Sequence, residues 1–125
     1  MSADQPDVLD PSQVEDLRGI DGGAMLARLV NMYLTKTPDR IKLLREHVAA
    51  RNFTEVSREA HTLKGASGSI GAARVADTCA QIEQARKAKD EKRLVELVEA
   101  LEAEYARACH ALKAMVATGT AAAGE

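Results

Sequence analysis

The chain has 125 residues, 29% of them charged and 46% hydrophobic, with a net charge of -2 at neutral pH. That length supports one domain around one modest core. The charges are interspersed, which excludes a basic patch for nucleic acid and a polybasic membrane anchor, and no apolar run reaches the roughly 18 residues that a membrane span needs.

Residues 1–10 read as a disordered lead-in with no basic region followed by an apolar one, so no secretory signal is expected. Pro11 to Ile20 predicts a short helix, with Asp10 as its cap and Val14 and Leu17 as its apolar side. Gly22 and Gly23 break it. Met25, Leu26, Leu29, Val30, Met32, Tyr33 and Leu34 predict a second helix whose apolar face is too wide for a single packing contact. Thr37-Pro38-Asp39 carries a helix-start signal, Thr37 as cap and Pro38 at the first position, with Ile41, Leu44 and Val48 following. Asn52 and Glu55 form a capping-box pattern ahead of Phe53, Val56, Ala60, Leu63, Ser67 and Ile70, which alternate by threes and fours. Val75, Cys79 and Ile82 repeat that spacing after Gly71. Asp90 caps the final helix, which carries Leu94, Val98, Leu101, Tyr105, Ala108, Leu112 and Met115. Residues 118–125 read as a disordered tail.

Aromatic residues are few and β-branched residues never alternate, so the class is all-α. Four amphipathic helices near 38–50, 52–70, 72–88 and 91–116, joined by short turns, predict an antiparallel up-down-up-down four-helix bundle. The short N-terminal helices would pack on it as a cap, giving one domain over 11–117. Cys79 and Cys109 form no CxxC pair and fall on or beside apolar stripes, so both read as buried free thiols in a cytosolic protein.

One stretch breaks the local rules. Ala60-His-Thr-Leu-Lys-Gly-Ala-Ser-Gly-Ser-Ile-Gly71 places two glycines inside a helix, each costing about 1 kcal/mol relative to alanine. At about 100° per residue, His61 points about 130° from the core direction. Lys64, Gly65 and Gly68 follow at i+3, i+4 and i+7 on the same strip. The strip presents an imidazole, an ammonium and two positions without side chains. Histidine offers a neutral nucleophilic nitrogen near pH 7 and forms covalent intermediates. The ammonium suits an anion on that ring, and the glycines leave room for a bulky partner. A histidine carrying a phosphoryl group to and from another protein fits all of these features.

Other readings of these residues fit less well. A phosphate-binding glycine loop follows a strand, and no strand is expected; Gly71 is explained as a helix C-cap. His47 and His110 lie off the core stripes without such company and read as solvated. No metal site is expected, because the position four residues after His61 is Gly65.

His61-Thr-Leu-Lys64-Gly65, with Gly71 ten residues after the histidine, resembles the histidine phosphotransfer (HPt) domains of multistep phosphorelays. The similarity runs from about Leu26 to Met115. The resemblance implies a four-helix bundle whose His61 accepts phosphate from an aspartyl phosphate on one receiver domain and passes it to another. Such receivers belong to response regulators and hybrid histidine kinases. It implies a carrier with no kinase activity and no cofactor of its own, magnesium belonging to the receiver; the bundle is expected to be a monomer. Lys64 would assist the phosphoryl group and Gly65 would leave room for it. Some members orient the ring with a glutamine 22 residues after the histidine; here that position is Glu83. A carboxylate there could fix the ring tautomer, or Glu83 is a solvated helix residue. The competing functions are a helical adaptor without chemistry and a fragment of a histidine-kinase dimerisation bundle.

Overall fold

The computed structural model describes residues 6–124, with side chains placed for residues 6–117. Its elements are α1 (Pro11–Arg18), a short 3-10 turn (Asp21–Gly23), α2 (Ala24–Ala49), α3 (Phe53–Ile70), α4 (Ala73–Lys87) and α5 (Glu91–Gly124). No strand occurs among the described residues. The links between α2 and α5 are two or three residues long, at 50–52, 71–72 and 88–90, so successive helices must run antiparallel. Each helix packs on its chain neighbour, and α2 closes the ring against α5. The core is aliphatic: Leu26, Leu44, Leu63, Ile82, Leu94, Leu101 and Leu112 are all fully buried.

Local chemistry sets most boundaries. Asp10 caps α1, accepting from the Ser12 and Gln13 backbone N–H groups at 3.1 and 3.4 Å. Gly23, at φ +99°, turns the chain into α2. Asn52 caps α3 by accepting from Glu55 N–H. The reciprocal half of the expected capping box is missing, because the Asn52 N–H donates to the His47 carbonyl and the Glu55 carboxylate pairs with Arg58. Asp90 caps α5 through the Arg93 N–H at 3.1 Å.

Three expectations need correction. The helix expected to start at Thr37-Pro38, over 38–50, is the second half of one unbroken 26-residue α2. Pro38 cannot donate to the Leu34 carbonyl four residues before it. The Tyr105 hydroxyl of α5 reaches that carbonyl instead, at 3.5 Å. Thr37 is not a cap but a core position, 2% exposed. What looked like a separate capping helix is therefore the first half of a bundle helix; Leu26, Val30 and Tyr33 of its wide apolar face are buried in the bundle, while Met32 stays 51% exposed.

The second correction concerns the lead-in. Residues 1–5 lie outside the described part of the chain, but residues 6–10 run along the α3–α4 turn. Asp10 N–H donates to the Gly71 carbonyl at 2.8 Å, and Arg74 Nε donates to the Pro6 carbonyl at 3.0 Å. Val8 and Leu9 pack against the core. The segment thus bonds to both sides of that turn, the Arg74 backbone N–H in the first turn of α4 donating to the Val8 carbonyl at 3.4 Å. The expected disordered tail is corrected likewise: residues 118–124 continue α5 as helix, and residue 125 lies outside the described part.

Candidate functional site

The site is built on the outer strip of α3. Val56, Ala60, Leu63, Ser67 and Ile70 are buried and fix the rotation of that helix. His61 is thereby turned outward, its side chain 71% exposed. Gly65 and Gly68 lie on the same outer strip. A Cβ added at either would meet nothing within 4 Å, so neither glycine serves the bundle's own packing.

Gly71 differs from these two. It adopts φ +84°, and an added Cβ would lie 2.9 Å from Val14 Cγ2. Its N–H donates to the Gly68 carbonyl and the Ala72 N–H donates to the Ser67 carbonyl, closing the C-terminus of α3. The three glycines therefore divide into two that clear a surface and one that ends a helix.

Glu83 reaches the site from α4. Its Oε2 lies 2.9 Å from His61 Nδ1, and its Oε1 lies 2.6 Å from Lys64 Nζ. The second contact is an ion pair. Glu83 is 17% exposed and Lys64 37%, so the carboxylate sits inward of the ring and anchors both the imidazole and the ammonium. Burial raises the Glu83 carboxyl, but Lys64 and then His61 outweigh it and hold it below the usual carboxylate range. Of the two readings of Glu83, the geometry is that of a ring partner. A carboxylate at Nδ1 accepts the N–H of that nitrogen and leaves the Nε2 lone pair free.

The expected residues His61, Lys64, Gly65, Gly68 and Glu83 thus share one face. His110 is exposed and His47 half-buried, and neither makes a side-chain hydrogen bond or ion pair among the described residues. Both cysteines are free; Cys79 is buried and Cys109 half-buried. Among the described residues no group of His, Cys, Asp and Glu is placed to hold a metal ion, and no helix is long and apolar enough to cross a membrane.

An open depression beside the ring holds residues that the sequence reading did not single out. Thr54, Ser57 and Arg58 line it from α3, and Arg86 and Lys87 from α4. Thr54, Ser57 and Arg58 lie seven, four and three residues before His61, on its own face. The same helical spacing that places Lys64 and Gly68 on this face therefore also places these three residues there.

A helical bundle that displays an exposed imidazole on a cleared strip, with one ring nitrogen held from the next helix, has the architecture of a phosphoryl-carrying bundle. The family model described as "Hpt domain" matches residues 28–111, and the chain belongs to that family. It is a phosphotransfer protein of a phosphorelay. Two solved structures share the fold. The histidine-containing phosphotransfer protein of Medicago truncatula is 22% identical with a TM-score of 0.80, over 94% of this chain and 84% of that one. Histidine-containing phosphotransfer protein B of Pseudomonas aeruginosa is 22% identical with a TM-score of 0.80, over 89% of this chain and 96% of that one. At such identities the likeness is one of fold. No curated protein matches the sequence.

Proposed function

We propose that His61 is the phosphoryl carrier, and that Nε2 is the atom that bonds to phosphorus. The observation that carries this reading is the 2.9 Å contact between Glu83 Oε2 and His61 Nδ1. With the Nδ1 proton engaged, the Nε2 lone pair faces solvent on an unobstructed strip. The lone pair attacks the phosphorus of an aspartyl phosphate on a receiver domain. The bond from phosphorus to the aspartyl oxygen breaks, and that carboxylate leaves with the electron pair. Onward transfer is the reverse step to an aspartate of another receiver.

Lys64 supplies positive charge beside the phosphoryl oxygens, and Gly65 and Gly68 admit the receiver surface. The receivers are those of response regulators and hybrid histidine kinases. The chain contributes a nucleophile and a docking surface, with no kinase activity and no cofactor of its own; the divalent ion belongs to the receiver. It works as a cytoplasmic monomer. The test is transfer from a phosphorylated receiver to the wild-type protein and to His61→Gln, His47→Gln and His110→Gln. Loss in His61→Gln alone is expected. Undiminished transfer to His61→Gln would refute the assignment, and no transfer to any form would favour the adaptor reading.

A further inference from the structure

We propose that Glu83 keeps the Nδ1 proton on His61 while the ring is phosphorylated, and so sets the pH range over which the carrier can pass its phosphoryl group on. This deepens the reading of His61 as the phosphoacceptor and rests on it.

The argument starts from proton accounting. The neutral ring carries one proton, on Nδ1, beside Glu83 Oε2. When Nε2 bonds to phosphorus and the aspartyl oxygen leaves with its electron pair, the ring becomes a cation that still carries that proton. In onward transfer an aspartate oxygen bonds to phosphorus, and the Nε2–phosphorus pair returns to the ring. If the proton stays, the leaving group is neutral imidazole. If it has been lost, the leaving group is an imidazolate, and the bond breaks far less readily. The transfer-competent adduct is therefore the protonated one.

The surroundings show which group favours that form. On α3 the ring is flanked by Lys64 and by Arg58, the latter paired with Glu55 at 3.0 Å. On α4 it faces Arg86 and Lys87. These four cations all oppose a positive charge on the ring. Cys79, deeper on α4 and close to both Glu83 and Lys64, is held as a neutral thiol. Glu83 is the one acid lining the depression among the described residues. It lies inward of the exposed ring and 2.9 Å from Nδ1, close enough for its charge to act on that nitrogen directly. A glutamine carbonyl could accept the same hydrogen bond, but it would carry no charge to hold the proton against four cations. Lys64 and Arg58 cannot substitute, having the wrong sign.

Glu83 is thus a positioning residue with an electrostatic task, and the two parts of that task separate in Glu83→Gln. The ring is phosphorylated with phosphoramidate in the wild-type protein, Glu83→Gln and Lys64→Ala. Nitrogen-15 NMR then follows Nδ1 of the adduct through a pH titration, and transfer to a receiver domain is measured over the same range. In Glu83→Gln the titration midpoint should fall by about one pH unit or more. The alkaline limb of the transfer profile should fall with it, while transfer at the acid end stays within a few-fold of wild type. In Lys64→Ala the midpoint should rise or stay, because a cation has been removed. An equal midpoint in wild type and Glu83→Gln overturns the proposal while leaving His61 as phosphoacceptor. A fall of the same size in Lys64→Ala would also overturn it, since Glu83 would then act only by placing the lysine. Absence of any adduct on His61 in the wild-type protein would sink the phosphoacceptor reading and this proposal with it.

Discussion

The Tyr33 hydroxyl of α2 and the Ser67 hydroxyl of α3 lie 2.7 Å apart in the core, Ser67 fully buried and Tyr33 6% exposed. Ser67 stands on the inner side of the turn whose outer side carries Lys64 and Gly68. The bond therefore pins the helix that presents His61. Tyr33→Phe should cost about 1–3 kcal/mol, because it leaves a buried hydroxyl without its partner. Adding Ser67→Ala should recover part of that loss. Urea melts of the single and double variants check this. Full stability in Tyr33→Phe would show that Ser67 finds another hydrogen-bond partner.

Gly68 and Gly71 should respond in opposite directions. Gly68→Ala adds a methyl group into open space and should stabilise the domain by up to about 1 kcal/mol. Gly71→Ala puts a side chain at φ +84° and against Val14, and should destabilise by about 1–2 kcal/mol from the backbone alone. Gly68→Gln should fold normally yet bind a receiver more weakly. Thermal melts and receiver titrations decide it. A lower melting temperature for Gly68→Ala would mean that the strip is not the free surface described.

Lys64→Ala should slow phosphotransfer without abolishing it. The side chain is more than a third exposed, so solvent limits what its charge can contribute. Roughly a tenfold loss is the ceiling, measured as the rate from a phosphorylated receiver. A loss of several orders of magnitude would give Lys64 a larger part in the transfer than a screened charge can play.

The bundle was legible in the sequence wherever local chemistry decides structure. The Asn52 and Asp90 caps, the stripe from Val56 to Ile70 and the outward face of His61 all follow from period and capping rules, and the structure reproduces each. The break at Thr37-Pro38 was misread because its remedy is not local. A proline there frees the Leu34 carbonyl, and the hydroxyl that meets it comes from Tyr105, 71 residues on. A signal did exist. Leu26, Val30, Tyr33, Thr37, Ile41 and Leu44 keep the threes-and-fours spacing straight through Pro38, but the polarity of Thr37 hid it. The Glu83 contact was half legible: its place on α4 was clear, while the rotation of α4 that aims it at His61 depends on packing against α3 and α5.

Stability should fall with alkaline pH. Burial, and next the Glu83 charge, push the Cys79 thiol from 9.0 up to about 12, with Lys64 opposing. Between those values the unfolded chain releases a proton that the folded one retains. The contribution is therefore complete below about pH 9 and is lost as pH rises toward about 12. Burial also raises the Tyr33 phenol, so its contribution fades in the same direction. Urea midpoints should drop as pH rises above 9.0, and the drop should be smaller in Cys79→Ala. A pH-independent midpoint would mean that the thiol is not sealed in the core.

The most direct test of the account is where the phosphoryl group resides. The wild-type chain is incubated with a hybrid histidine kinase and ATP, and the phosphorylated residue is located by mass spectrometry under alkaline handling. The account predicts one acid-labile, base-stable phosphate, on His61. Phosphate on His47 or His110 instead, or an acid-stable phosphate on a hydroxyl side chain, would contradict it.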